Sequence, residues 1–291
     1  MKGFKFRALF LLFVFYLTVL FSASAYGSDL GFNLRLYGGL NYLSGGEFNT
    51  GLKGFNDYQG EYFQFFGLTH AGGEYNPVHR GMDIGGDLIF QITPALGVGI
   101  GAGYVQGNND STISYGPVPA GMTTAAELSA VPLRLSVFYT LLTGSAIRIN
   151  LHAGLSYYLA AMSFDFRPYS PGSWVQYSAD ADGGGLGFHG GLGVELKLSQ
   201  TVAIFLEGQG RYARLGGFEG KGTISNSLGG SVSANGTVYS FTMNQGLLGY
   251  FPGIFVFSTA PSGTFYSNVR EAKIDFSGFS AVAGIIFRFK L

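Results

Sequence analysis

From Gly31 onward, apolar residues alternate with polar or small ones at a period of two in eight separate stretches, which predicts strands rather than helices. In the first, about Gly31 to Leu43, Phe32, Leu34, Leu36, Leu40 and Tyr42 share one face, and Asn33, Arg35, Tyr37 and Asn41 the other. The second, about Arg80 to Ile92, sets Met82, Ile84, Leu88 and Phe90 against Asp83, Asp87 and Gln91. The third, about Leu96 to Gln106, sets Val98, Ile100 and Tyr104 against Gly97, Gly99, Gly101 and Gly103. The fourth, about Leu128 to Leu141, sets Val131, Leu133, Leu135 and Val137 against Pro132, Arg134 and Ser136. The fifth, about Ala146 to Ala160, sets Ile149, Leu151, Leu155 and Tyr157 against Arg148, Asn150, His152 and Ser156. The sixth, about Gly187 to Leu198, sets Phe188, Leu192, Val194 and Leu196 against His189, Glu195 and Lys197. The seventh, about Val202 to Tyr212, sets Ile204 and Leu206 against Glu207, Gln209 and Arg211. The eighth, about Ser277 to Leu291, sets Phe279, Ile285, Phe287 and Phe289 against Ser280, Gly284 and Arg288.

The connections alternate in length. Thr93 to Ala95, Leu142 to Ser145 and Ser199 to Thr201 are tight turns. Four others are long, about Ser44 to His79, Gly107 to Glu127, Ala161 to Leu186 and Arg214 to Phe276, and all are rich in Gly, Ser, Asn and Pro. Short turns on one rim and long loops on the other are the layout of a membrane barrel. The predicted fold is therefore all-β: an eight-stranded antiparallel transmembrane up-and-down β-barrel with short periplasmic turns and four long extracellular loops. A ten-stranded barrel stays open, because the apolar stretch Leu247 to Phe257 interrupts the last long connection.

Charge placement supports the alternation. Arg35, Asp83, Asp87, Arg134, Arg148, Glu195, Lys197, Glu207, Arg211 and Arg288 lie inside the eight stretches, and all ten fall on the polar face. Arg or Lys facing lipid at mid-membrane costs about 2–4 kcal/mol, so a spanning barrel must turn these groups toward its lumen. In so narrow a lumen they should pair. Tyr42, Tyr104, Tyr157 and Tyr212 sit on the apolar face near the ends of stretches one, three, five and seven, where an outer aromatic girdle belongs. A soluble sandwich also alternates, but buries its apolar face against a second sheet.

Composition narrows the class further. Of the 291 residues only 12% are charged, against 16% aromatic and 48 glycines, whereas a soluble domain carries about 25% charged residues. The balance of 17 basic and 17 acidic residues fits no nucleic-acid surface. With no Cys and four His, neither a disulfide framework nor a metal site is expected. Lys2, Lys5 and Arg7, the apolar run Ala8 to Phe21 and the small-x-small triplet Ala23-Ser24-Ala25 read as a cleaved secretory signal peptide over 1–25, leaving 26–291 as the barrel domain. Cleavage takes three basic residues and no acidic one, for a mature net charge of −3.

Three stretches carry a family resemblance: the closing strand Phe279 to Leu291, the glycine-alternating Leu96 to Tyr104, and Val131 to Tyr139. Through them the mature chain resembles the small outer-membrane β-barrel families of the OmpA transmembrane-domain, OmpX and OmpW kind. The resemblance implies residence in the bacterial outer membrane, contact with outer-membrane lipids and lipopolysaccharide, and handling by periplasmic chaperones and the barrel-assembly machinery. Members commonly end in Phe; this chain ends in Leu291, with Phe289 two residues earlier.

Fold does not decide activity in such families. The lumen charges predict a closed salt-bridge plug, with a narrow channel for small solutes as the alternative. His152 and His189 have lumen parity, while His70 and His79 fall in the first long connection, His79 near Asp83; a carboxylate–His pair at the outer rim is the enzymatic alternative. Gly97 to Ala102 matches G-x-G-x-x-A but lies inside a strand, the wrong context for a dinucleotide site. The expectation is a non-catalytic protein without metal or cofactor, serving a structural or surface-interaction role with no assigned surface partner.

Overall fold

The computed structural model describes residues 31–290; the expected signal peptide and cleavage site, and Leu291, lie outside the described residues. Thirteen strands and one long helix follow in chain order: β1 (Gly31–Gly46), α1 (Glu47–Phe65), β2 (Thr69–Gly72), β3 (Arg80–Gln91), β4 (Leu96–Gly116), β5 (Ala120–Thr143), β6 (Ile147–Ser170), β7 (Ser173–Lys197), β8 (Val202–Tyr212), β9 (Arg214–Asn226), β10 (Ser231–Asn244), β11 (Tyr250–Phe257), β12 (Tyr266–Glu271) and β13 (Ile274–Lys290). Eight of them, in the order β1-β3-β4-β5-β6-β7-β8-β13, form a ring. β1 closes it by pairing antiparallel with β13 from Gly31↔Lys290 to Gly46↔Ile274. Closure leaves this wall no free edge, the condition for a sheet to stand in hydrocarbon. Among the described residues no helix is long and apolar enough to cross a membrane.

The short turns follow from their side chains. Thr93 Oγ1 accepts the amide of Leu96 at 3.0 Å between β3 and β4, and Ser199 Oγ accepts that of Val202 at 3.0 Å between β7 and β8. Each hydroxyl replaces a ladder bond that the reversing chain gives up.

The ring extends well beyond a membrane's thickness, and its faces exchange character partway up. On β5 the outward positions Val131, Leu133, Leu135, Val137 and Tyr139 are apolar, but above them Thr123, Glu127 and Ser129 point the same way. The inward positions invert too: Arg134 and Ser136 below give way to Met122, Ala126 and Leu128 above. β6 changes after Leu159, with Ser163, Asp165 and Arg167 outward and Met162, Phe164 and Phe166 buried. On β7 the outward residues pass from Leu186 and Phe188 to Asp182, Asp180 and Ser178. An apolar belt of Val131 to Leu141 has the length a tilted strand needs to span hydrocarbon, about 9–11 residues. Above it the barrel stands in water and has an ordinary apolar core.

Two of the four long connections are therefore not loops. The segment 107–127 is the upper half of the β4–β5 hairpin, and 161–186 that of β6–β7. The last, 214–276, folds as β9 to β12: β9 continues the line of β8 along β7, β10 pairs with β9, and β11 pairs with β10. The ring stays at eight, and the apolar stretch around β11 enters the upper core through Phe251, Ile254, Phe255 and Val256. The first connection contains α1, whose Phe48, Leu52 and Phe55 join the same core. Gly51 lies against Ile254 and Gly54 against the Pro252 backbone so closely that neither has room for a side chain. Asn49 bonds the Ser44 and Val78 carbonyls, both at 3.0 Å, and ties the helix start to the chain entering β3.

Candidate functional site

The membrane-level lumen holds a belt of ion pairs, most of them between strands that are not neighbours. Asp87 on β3, Gly101 on β4 and Arg134 on β5 stand in one cross-strand row. Because Gly101 has no side chain, Arg134 Nη2 reaches Asp87 Oδ1 at 3.3 Å. Arg35 on β1, register partner of Asp87, approaches it at 3.9 Å and reaches past β13 to Glu207 on β8 at 2.9 Å. Arg35 also lies over the Phe205 ring, 4.3 Å from its centre. Arg134 donates to Tyr37 Oη and, at 3.0 Å, to the Ala102 carbonyl. His152 faces Glu207 at 3.6 Å; the imidazole lies against Gly191 and the carboxylate against Gly193, so closely that neither glycine has room for a side chain.

A second group lies toward the long-strand end. Arg211 meets Asp83 at 3.5 Å, donates to Ser280 Oγ at 2.8 Å and bonds Asn41. Ser280 in turn donates to Asp83 at 2.7 Å. At the short-turn end Arg288 pairs with Glu195. All of these carboxylates are buried, and a buried ion pair holds only while both partners stay.

Eight of the ten charges read from the sequence thus meet in pairs: Arg35, Asp83, Asp87, Arg134, Glu195, Glu207, Arg211 and Arg288. Arg148, opposite Glu195 in register, is half-buried at the short-turn end and forms no ion pair among the described residues. Lys197 departs from expectation. It is the last residue of β7 and the register partner of Ala203 on β8; its parity is inward, but it is exposed at the short-turn rim and forms no ion pair among the described residues. Of the girdle, Tyr42, Tyr157 and Tyr212 are exposed on the outer face and Tyr104 is half-buried there. Tyr42 stacks on Phe279 and on His79, with ring centres 5.2 and 4.8 Å apart.

The four histidines lie in two places, His70 and His79 in the connection between β1 and β3, and His152 and His189 in the lumen. His79 Nδ1 is 2.7 Å from the Leu43 carbonyl, and His70 Nε2 is 2.9 Å from that of Gly73. In the lumen, His189 lies between Ser136 and Ser156, at 2.8 and 2.7 Å. The single-residue alternation of strands four to six gives all three the same face, but not their shared level, which depends on register. The space beside them is about 20 Å³, room for a water and not for a substrate.

Among the described residues two larger open spaces stand out. One, of about 560 Å³, reaches up from the short-turn rim to Arg35 and Glu207. The other, of about 760 Å³, lies at the upper end between α1, the segment around β2 and the core residues Ile113, Tyr115 and Phe251, with Asp57, Glu61 and Glu74 among its walls. The two do not share a lining residue.

No protein-family model and no curated protein matches the chain. Among solved structures it is similar to the outer membrane protein OprG from Pseudomonas aeruginosa, at 12% identity and a TM-score of 0.40, over 91% of this chain and 99% of that one. It is also similar to a major outer membrane protein from Thermus thermophilus, at 11% identity and a TM-score of 0.36, over 89% and 99% of the two chains. A third likeness is to the outer membrane protease OmpT from Escherichia coli, at 10% identity and a TM-score of 0.29, over 90% and 95%. The fold itself rests on the closed register and exchanged faces of this chain. By those features it is an all-β protein whose eight-stranded antiparallel ring carries an outward apolar belt, the architecture of the small outer-membrane barrels.

Proposed function

We propose that this chain is a non-catalytic protein of the bacterial outer membrane: a sealed barrel that carries a rigid folded surface layer for structural or interaction purposes. The observation that carries this reading is closure at two successive levels. Within the apolar belt Arg35–Glu207 and Arg134–Asp87 each bridge one intervening strand, and Arg134 reaches on to Tyr37, three strands away, so buried charged side chains fill the lumen. Above them the interior is filled by the core of α1, β11 and the upper strands. A solute passing through would have to separate buried charges and then displace packed side chains; breaking one buried pair by removing a partner costs about 3–5 kcal/mol.

The signal peptide delivers the chain to the periplasm, and the short turns face that side. Lipid and lipopolysaccharide contact the belt and its tyrosines, and periplasmic chaperones and the assembly machinery bring the barrel there. The surface layer meets the partner, whose identity is open.

Planar-bilayer recording of the refolded barrel tests the sealed lumen. The expected result is no stepwise current at any holding potential. Reproducible unitary steps would replace this reading with a narrow channel for small solutes.

A further inference from the structure

We propose that the blind cavity at the short-turn end of the lumen binds a small organic oxyanion, a carboxylate or a phosphate carried on an apolar body. The cavity, of about 560 Å³, is far larger than a bare ion needs, and Thr93, Pro94 and Thr201 of the short turns frame its mouth. Three guanidinium groups line it: Arg35, Arg148 and Arg288. Its two carboxylates are already engaged. Glu195 takes Arg288 on Oε1 and Asn150 on Oε2, the latter at 3.3 Å. Glu207 takes Arg35 on Oε2 and Gln209 on Oε1, at 2.9 and 2.8 Å, with His152 beside Oε1.

The donors outnumber these acceptors. Arg35, whose side chain is only 5% exposed, keeps a buried Nε–H with no partner among the described residues, and Arg288 keeps both Nε and Nη1 in the same state. Arg148 forms no ion pair among the described residues and lines the same cavity as Arg288. Buried N–H groups of charged side chains are costly to leave unpaired. A surplus cation next to several unpaired donors is an arrangement that an anion completes, and guanidinium groups suit the two-oxygen edge of carboxylate and phosphate. Phe138, Phe205 and Ile286, beside Arg35, line the same cavity and offer no polar side-chain atom to a ligand. They favour a ligand with an apolar body over a bare ion. Binding here does not depend on whether the lumen above is sealed.

The test is isothermal titration of the full barrel in detergent, at fixed ionic strength, with benzoate, phenyl phosphate and benzylamine. The expected result is saturable binding of at least one of the two anions and none of benzylamine, which has the same ring and the opposite charge. Benzoate alone would identify the source as a carboxylate, phenyl phosphate alone as a phosphate. Arg148→Gln, checked for folding by heat-modifiable gel mobility, should weaken binding at least about tenfold. Absence of saturable binding by both anions, equal binding of benzylamine, or unchanged affinity in a folded Arg148→Gln barrel would each overturn the proposal.

Discussion

Arg134 and Asp87 meet over the bare backbone of Gly101, two strands apart, with 3.3 Å between guanidinium and carboxylate. A side chain on Gly101 would occupy the place of the Asp87 carboxylate. Gly101, with Gly103 beside the Arg134 guanidinium, is thus a gap through which charges from different strands join.

Replacing Asp87 by Asn keeps its shape and removes its charge, leaving two buried guanidiniums with one fewer counter-ion. The barrel should lose about 3–5 kcal/mol of stability, measured by urea titration of folded against unfolded gel mobility. Replacing Arg134 and Asp87 together, by Met and Leu, should cost far less, because no lone charge is left behind. A neutral Asp87→Asn would mean that the pair does not brace the lumen.

The exchange of faces on β5 gives a second test, on one strand and one side. Leu135 points outward within the belt and Ser129 points outward above it. Leu135→Arg should block insertion into lipid vesicles, at a cost of about 2–4 kcal/mol, whereas Ser129→Arg should insert at nearly the wild-type yield. Equal yields would remove the boundary between the two levels.

The upper layer depends on close contact between α1 and β11. Gly54→Val places a branched side chain against the Pro252 backbone and should destabilise the layer by about 1–3 kcal/mol. Limited proteolysis of the inserted barrel should then cut within 47–65 or 246–257, while the membrane-level strands stay protected. Gly72→Ala, where a Cβ meets open space, should leave the digest unchanged.

The membrane-level strands are legible in the sequence because lipid outside and charge inside impose one strict alternation; the eight stretches correspond to strands of the ring to within a few residues at their belt ends. The upper halves are hidden by the same rule. Once the wall leaves the membrane, Thr123 and Glu127 point outward and Met122 and Leu128 inward, so the alternation continues with its sign reversed and looks like a loop. Helix α1 is concealed differently. Gly51, Gly54 and Gly60 lower its intrinsic helix propensity, yet these are the positions where β11 and Tyr115 come closest. Which lumen charges pair is a matter of register between strands that are not neighbours, and local alternation holds no record of it. Lys197 shows the limit of alternation: the right face, but on the last rung of the wall, where the side chain is exposed.

The chain has no cysteine, so single cysteines along β5 can carry a fluorophore with no background, and quenching by brominated lipid reports contact with acyl chains. Labels at outward Leu133, Leu135 and Val137 should be strongly quenched, and labels at Thr123, Glu127 and Ser129, on the same face, should not. A flat profile along the strand, or labels at Leu135 quenched by aqueous iodide in place of brominated lipid, would contradict a barrel whose apolar belt faces the membrane.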